Sequence, residues 1–261
     1  MSELSSLSKA ILSFVDVLDS FGAESWNLRI VCVASAAFFL GMRVTIGHKN
    51  AIDWDALVHA VISGFGASAC VYLNYFASAQ MRGVPEPLAS ITCHGPLTSL
   101  HRIIPAITQG YAICDIINGF RLGPAFLAHG VATFTVAAIF CEHEAAQILT
   151  PTLVMELSTI VLACLRADFF TPTQQLVSQL TFMLLFFLSR IIVFPVILYD
   201  IITAFRTADF EQCFPSYIYY VTLLFGSFFV CLNSFWFYKM ILKAKRKLSG
   251  QESMEVQEKL D

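Results

Sequence analysis

Four ionisable side chains, Asp115, His129, Glu156 and Arg190, stand in stretches of sequence that are otherwise apolar. At membrane depth such groups are costly unless they face a cavity or a partner. Tyr111 and Asp115 lie four residues apart, and so on one helix face, with Asn118 close by. A histidine and a carboxylate can act as a general base and its orienting partner, which makes His129 and Asp115 the candidate catalytic pair. Only Arg121, Leu122 and Gly123 separate their two segments, a link short enough to force an antiparallel hairpin. Each residue then sits roughly 8 Å below the same membrane surface. Both side chains are expected on the bundle interior, beside Glu156 and a lipid-sized cavity. Glu156 and Arg190 have opposite charge and lie on different segments. They admit two readings: a buried ion pair that fixes helix packing, or the walls of a polar chamber for a lipid or thioester head group. His59 is a further ionisable residue, near the start of the second apolar segment.

Other chemistries leave no trace in the sequence. It has no HExxH, no GxSxG, no P-loop and no clustered histidine boxes. The six histidines are too dispersed for a metal site, so no metal and no resident cofactor is expected. No lysine lies deep inside an apolar segment, Lys239 standing only at the end of the last one, which argues against a retinal Schiff base. The eight cysteines form no CxxC pair. Most read as small buried hydrophobes, and no zinc knuckle or disulfide framework is suggested.

The elements that must position these residues are membrane helices. Of 261 residues, 57% are apolar and 13% charged, and the mean hydropathy is +0.69. A soluble domain averages about 25% charged residues, so lipid is the expected solvent. The net charge of −3 and the lack of a basic stripe give no sign of a nucleic-acid partner. Seven spans are expected, Leu28–Ile46, Ala56–Ala79, Ile103–Phe120, Pro124–Cys141, Ile148–Leu165, Leu176–Phe205 and Tyr217–Leu242. Arg190 and Pro195 predict a tilted, kinked sixth span. Residues Leu88–Arg102 are too polar for a lipid-facing helix and read as a re-entrant or interfacial segment. The organisation is an amphipathic N-terminal segment (1–26), a transmembrane bundle (27–247) and a polar tail (248–261). The N-terminal segment either lies on the membrane surface or packs against the bundle. Lys239, Lys243, Lys245, Arg246 and Lys247 follow the last span, and the positive-inside rule puts that end in the cytosol.

Several runs resemble the TLC domain, whose family includes the translocating-chain-associated membrane protein and the longevity-assurance ceramide synthases. They are GYAICDIINGF at Gly110–Phe120, LAHGVATF at Leu127–Phe134 and MELSTIVLACLR at Met155–Arg166. DWDALVHAVISG at Asp53–Gly64, FFLSR at Phe186–Arg190 and LNSFWFYKMI at Leu232–Ile241 extend the resemblance over about residues 53–247. It implies an all-α polytopic bundle of six or seven helices around a lipid-accessible polar cavity, in the endoplasmic reticulum or a related membrane. Ceramide synthases of the family transfer an acyl group from acyl-CoA to a sphingoid base. Their paired histidine reads Ala128-His129 here, and Glu156 and Thr159 stand where their later HDxSD-like run has aspartates. The ELST spelling, with Ser158 inside it, is similar to the smaller TLC-domain proteins linked to membrane lipid composition.

Three readings of function follow. In the first, the protein serves lipid homeostasis by binding lipid or membrane-protein cargo. In the second, it is an acyl-CoA-dependent acyltransferase acting on a lipid amine or hydroxyl. There His129 is the base or acyl acceptor, Asp115 its orienter, and Tyr111, Asn118, Glu156, Ser158 and Arg190 hold the substrate, with acyl-CoA as co-substrate. The third, a seven-helix receptor or channel, is weakest because no charged pore lining appears.

Overall fold

The structure, a computed structural model, describes residues 27–46, 52–72, 99–143, 145–165, 167–206 and 213–248. Among them there are seven helical rods and no strand. We label them α1 (Leu28–Thr45), α2 (Trp54–Tyr72), α3 (Ser99–Leu122), α4 (Pro124–Glu142), α5 (Ala146–Cys164), α6 (Pro172–Ala204) and α7 (Tyr217–Leu248). All but α3 are long and apolar enough to cross a membrane. With 24 residues α3 is long enough too, but it carries His101, Arg102, Gln109, Asp115, Asn118 and Arg121. Its neighbours α1, α2 and α4 pack around it and cover many of its residues.

Burial is distributed as lipid solvation requires. Large apolar side chains such as Phe120, Leu180, Tyr199 and Leu224 face outward, while Asp55, His59, Glu156 and Arg190 are buried. In water this pattern would be costly on both counts. The chain termini of several helices are satisfied locally. Asn27 accepts the amide of Arg29 at the start of α1. Thr171 and Gln174 form a reciprocal capping box at the start of α6, with Pro172 in the first turn.

Two rods are irregular, each for a reason written near a proline. In α5 a four-residue α-turn leads into a 3-10 stretch, Thr150–Glu156, before the α-helix resumes at Leu157. Pro151 sits at the head of that stretch, which is unusually long for 3-10 geometry. In α6 a π-turn, Phe187–Val193, precedes Pro195, and the amide of Phe194 reaches back to the carbonyl of Ser189. Pro195 cannot donate to the carbonyl of Ile191, and its ring crowds that oxygen. Widening the preceding turn relieves the crowding, so the disturbance expected at Pro195 takes the form of a π-turn.

Other expectations need adjusting. Ser99–Arg102 is the start of α3, with Ser99, Leu100 and His101 buried, so the proposed interfacial segment does not extend through it; residues 88–98 lie outside the described residues. Residues 73–79 of the second expected span, the segment 1–26 and the tail from 249 onward also lie outside them. The last helix continues to Leu248, beyond the expected end at Leu242. Among the described cysteines, Cys32, Cys70, Cys114, Cys141, Cys164 and Cys231 are free. Cys213, just before α7, is disulfide-bonded rather than a buried hydrophobe.

Candidate functional site

The site begins at the hairpin between α3 and α4. Gly123 connects them with φ of 110°, a conformation open to glycine and strained for other residues. Pro124 then starts α4. The two helices approach closely at Gly130. A Cβ there would lie 2.8 Å from the amide nitrogen of Ile116 and 3.0 Å from the carbonyl carbon of Asp115. That contact brings the neighbouring His129 against Asp115, with Nδ1 3.4 Å from Oδ2. The imidazole also meets the rings of Phe229 and Trp236 on α7, at 5.7 and 5.5 Å between centroids.

On the opposite wall, the two irregular segments meet. Arg190, in the π-turn, donates from Nε to Ser158 Oγ at 2.9 Å. Its Nη2 donates to Thr159 Oγ1 at 2.8 Å and to Glu156 Oε1 at 3.3 Å. Its Nη1 donates to Asn233 Oδ1 of α7 at 3.3 Å. The guanidinium also lies 5.2 Å from the centre of the Phe186 ring. Both charges of the Glu156–Arg190 pair are almost wholly buried. Three rods are thereby tied to one cation.

These two clusters flank a hollow of two adjoining chambers that share part of their lining. The outer has a volume of about 400 Å³, within the range of small-molecule sites. The inner one is an apolar slot of about 60 Å³. Tyr111, Asp115, His129 and Glu156 line both, so they form the junction. All seven residues singled out in the sequence, Tyr111, Asp115, Asn118, His129, Glu156, Ser158 and Arg190, line the outer chamber. The stripe that α7 contributes runs from Thr222, Phe225, Gly226 and Phe229 in the slot to Trp236, Lys239, Met240 and Lys243 in the outer chamber. From Thr222 to Lys243 it measures about 32 Å, close to the hydrocarbon thickness of a bilayer.

Sequence reasoning gave no role to several neighbours. His59 is buried, stacks on Tyr111 at 3.9 Å between ring centres and pairs through Nε2 with Thr108 Oγ1 at 3.2 Å. It lines the slot. Nδ1 of His59 and Nδ2 of Asn233 are buried with no hydrogen-bond partner among the described residues. His59, Thr159 and Asn233 all fall in the runs that carried the family resemblance, which was the available signal. Asp53 also lines the outer chamber, just ahead of α2. Burial, then a hydrogen bond and repulsion from Asp55, push its carboxyl up to about 7. Asp55 itself pairs with Arg43 at 3.0 Å. Among the described residues, no cluster of three or more metal-binding side chains occurs.

A helical bundle with six helices long and apolar enough to cross a membrane, and with apolar side chains facing outward, is the architecture of a multi-pass membrane protein. The TLC-domain family model matches residues 90–242, more than half of the chain, and the protein belongs to that family, a membrane family linked to lipid metabolism and sensing. No curated protein and no solved structure matches it.

Proposed function

We propose that the protein holds a membrane lipid, or an acyl derivative of one, in the two-chambered hollow and acts in setting membrane lipid composition. The observation that carries this reading is the junction. Four polar side chains, Tyr111, Asp115, His129 and Glu156, separate an apolar slot from a larger chamber. An amphiphile has the matching division between chain and polar linkage. His59, whose ring lines the slot, has an Nδ1 unpaired among the described residues and so adds a polar group beside the junction.

In this reading all seven rods cross the bilayer, α3 included, because α1, α2 and α4 shield its polar residues from lipid. The C-terminus faces the cytosol. Two features at opposite ends of α7 favour that orientation. The basic cluster lies in its C-terminal half, and the disulfide at Cys213 precedes its start. Disulfides persist in oxidising compartments, as expected for the lumen of the endoplasmic reticulum.

The pairing of His129 with Asp115 favours a second reading, acyl transfer. His129 would take the proton of a lipid amine or hydroxyl as that group attacks a thioester carbonyl. The carbonyl would then re-form with expulsion of the thiolate, which recovers the proton from the imidazolium. Asp115 would orient the ring and stabilise its charged form. Lipidomics of a strain lacking the protein, complemented with wild type or His129→Ala, separates the readings. Loss of one lipid class both in the deletion strain and with the variant supports chemistry. Normal lipids with the variant support binding, and unchanged lipids in the deletion strain itself would remove a role in lipid composition.

A further inference from the structure

The basic residues at the end of α7 are not equivalent. Lys239 and Lys243 are four residues apart on the helix face that lines the outer chamber, together with Trp236 and Met240. Lys245 and Arg246 do not line it. Lysines near the end of a membrane helix commonly serve as interfacial anchors, and that accounts for all of these residues without distinction. It does not account for two of them being turned onto the wall of a chamber.

Among the described residues neither Lys239 nor Lys243 has a carboxylate partner, whereas Arg190, deeper in the same chamber, has Glu156. The Lys239 ammonium lies 4.5 Å from the centre of the Phe235 ring, a contact weaker than a charge-assisted bond to an anion. Of the acids lining this chamber, Glu156 is paired with Arg190, Asp115 faces His129, and Asp53 has its carboxyl pushed up to about 7 by burial. Counting along α7, Lys239 and Lys243 lie about 9 to 15 Å beyond Asn233, the residue level with Arg190. The hollow thus runs from a cationic mouth, through the polar junction, to an apolar slot.

We propose that Lys239 and Lys243 form a phosphate-recognition mouth, so that the ligand of this hollow is an acyl amphiphile with a phosphate-bearing head. The proposal rests on the lipid-binding reading above and specifies its ligand. Two sources carry that chemistry, a phospholipid from the bilayer and an acyl ester of coenzyme A from the cytosol.

The test uses the purified full chain in neutral detergent, with four probes: lysophosphatidate, the matching monoacylglycerol, the matching acyl-CoA and inorganic phosphate. Wild type is expected to bind lysophosphatidate about tenfold more tightly than monoacylglycerol, and inorganic phosphate should compete only with the charged probes. Lys239→Gln with Lys243→Gln should abolish the difference while leaving monoacylglycerol binding intact, which also shows that the variant is folded. Lys239→Arg with Lys243→Arg should keep the preference, and so should Lys245→Gln with Arg246→Gln. A stronger response to acyl-CoA identifies the cytosolic source and a stronger response to lysophosphatidate the bilayer; either supports the mouth. A preference that survives the Lys239 and Lys243 glutamines, or that falls equally with the Lys245 and Arg246 pair, overturns it. Equal binding of charged and neutral probes by wild type overturns the phosphate mouth and leaves the lipid reading standing. Binding of neither overturns both.

Discussion

Removing one partner of the Glu156–Arg190 pair tests whether the far wall of the site is held by charge. Arg190→Ala withdraws the donor from Glu156, Ser158, Thr159 and Asn233 together and leaves a buried carboxylate unpaired. Breaking a buried pair in this way costs about 3–5 kcal/mol, and the upper end applies because four acceptors lose one donor. Glu156→Ala leaves the guanidinium with three neutral acceptors, so its cost belongs at the lower end, about 3 kcal/mol. The 3.3 Å contact between the charged groups is long for an ion pair, and a coupling of about 1.5–2 kcal/mol is expected, within the range for contacting residues. The double variant should therefore be less damaged than the sum of the two. The assay is unfolding of the purified protein in mixed micelles, with all four members of the cycle measured under one condition. Additivity to within about 0.5 kcal/mol would show that the two charges act independently and would refute this account of the wall.

Three further outcomes follow from the geometry. Asp53 has a folded-state pKa raised to about 7 from an unfolded value near 3.9, so its contribution is present below about pH 4 and lost as pH rises through 7. Melting temperature should fall across that window in wild type, and Asp53→Asn should flatten the fall; identical profiles would exclude the effect. Gly130→Leu should push α4 away from α3 at Ile116 and Asp115, with a loss of about 1–3 kcal/mol measured by unfolding in micelles; wild-type stability would mean the helices do not meet there. In cells, a glycosylation tag after Asp261 should remain unmodified, while Cys213→Ser should change mobility on non-reducing gels. Glycosylation of the tag would reverse the proposed orientation.

The hairpin at Gly123 and the pairing of Asp115 with His129 could be read from the sequence because both follow from helix rise and a three-residue link. The rendezvous of Glu156 with Arg190 could be anticipated only as one of two alternatives. It depends on a 3-10 stretch and a π-turn that rotate these residues relative to an ideal helix, and periodicity assumes the ideal. The prolines at 151 and 195 marked where the helices would be disturbed, but not in which form. That α3 is a helix was legible in the sequence, but it is not among the six helices apolar enough to cross a membrane, and its cover by α1, α2 and α4 is a tertiary feature that hydropathy does not report. Burial of His59 within α2, stacked on a tyrosine from α3, is a tertiary contact with no local signature. The disulfide at Cys213 was hidden for the same reason: isolated cysteines have no spacing to read.

The central claim is that a lipid occupies the hollow and does not merely coat the bundle. A photo-crosslinking amino acid placed at Leu162 or at Val131 tests it most directly. The two positions are 45% and 46% exposed, but Leu162 lines the outer chamber and Val131 does not. The account predicts one dominant lipid class, about one molecule per chain, in the adducts at Leu162, and the mixed composition of the surrounding membrane at Val131. The same mixed lipids at both positions would contradict it.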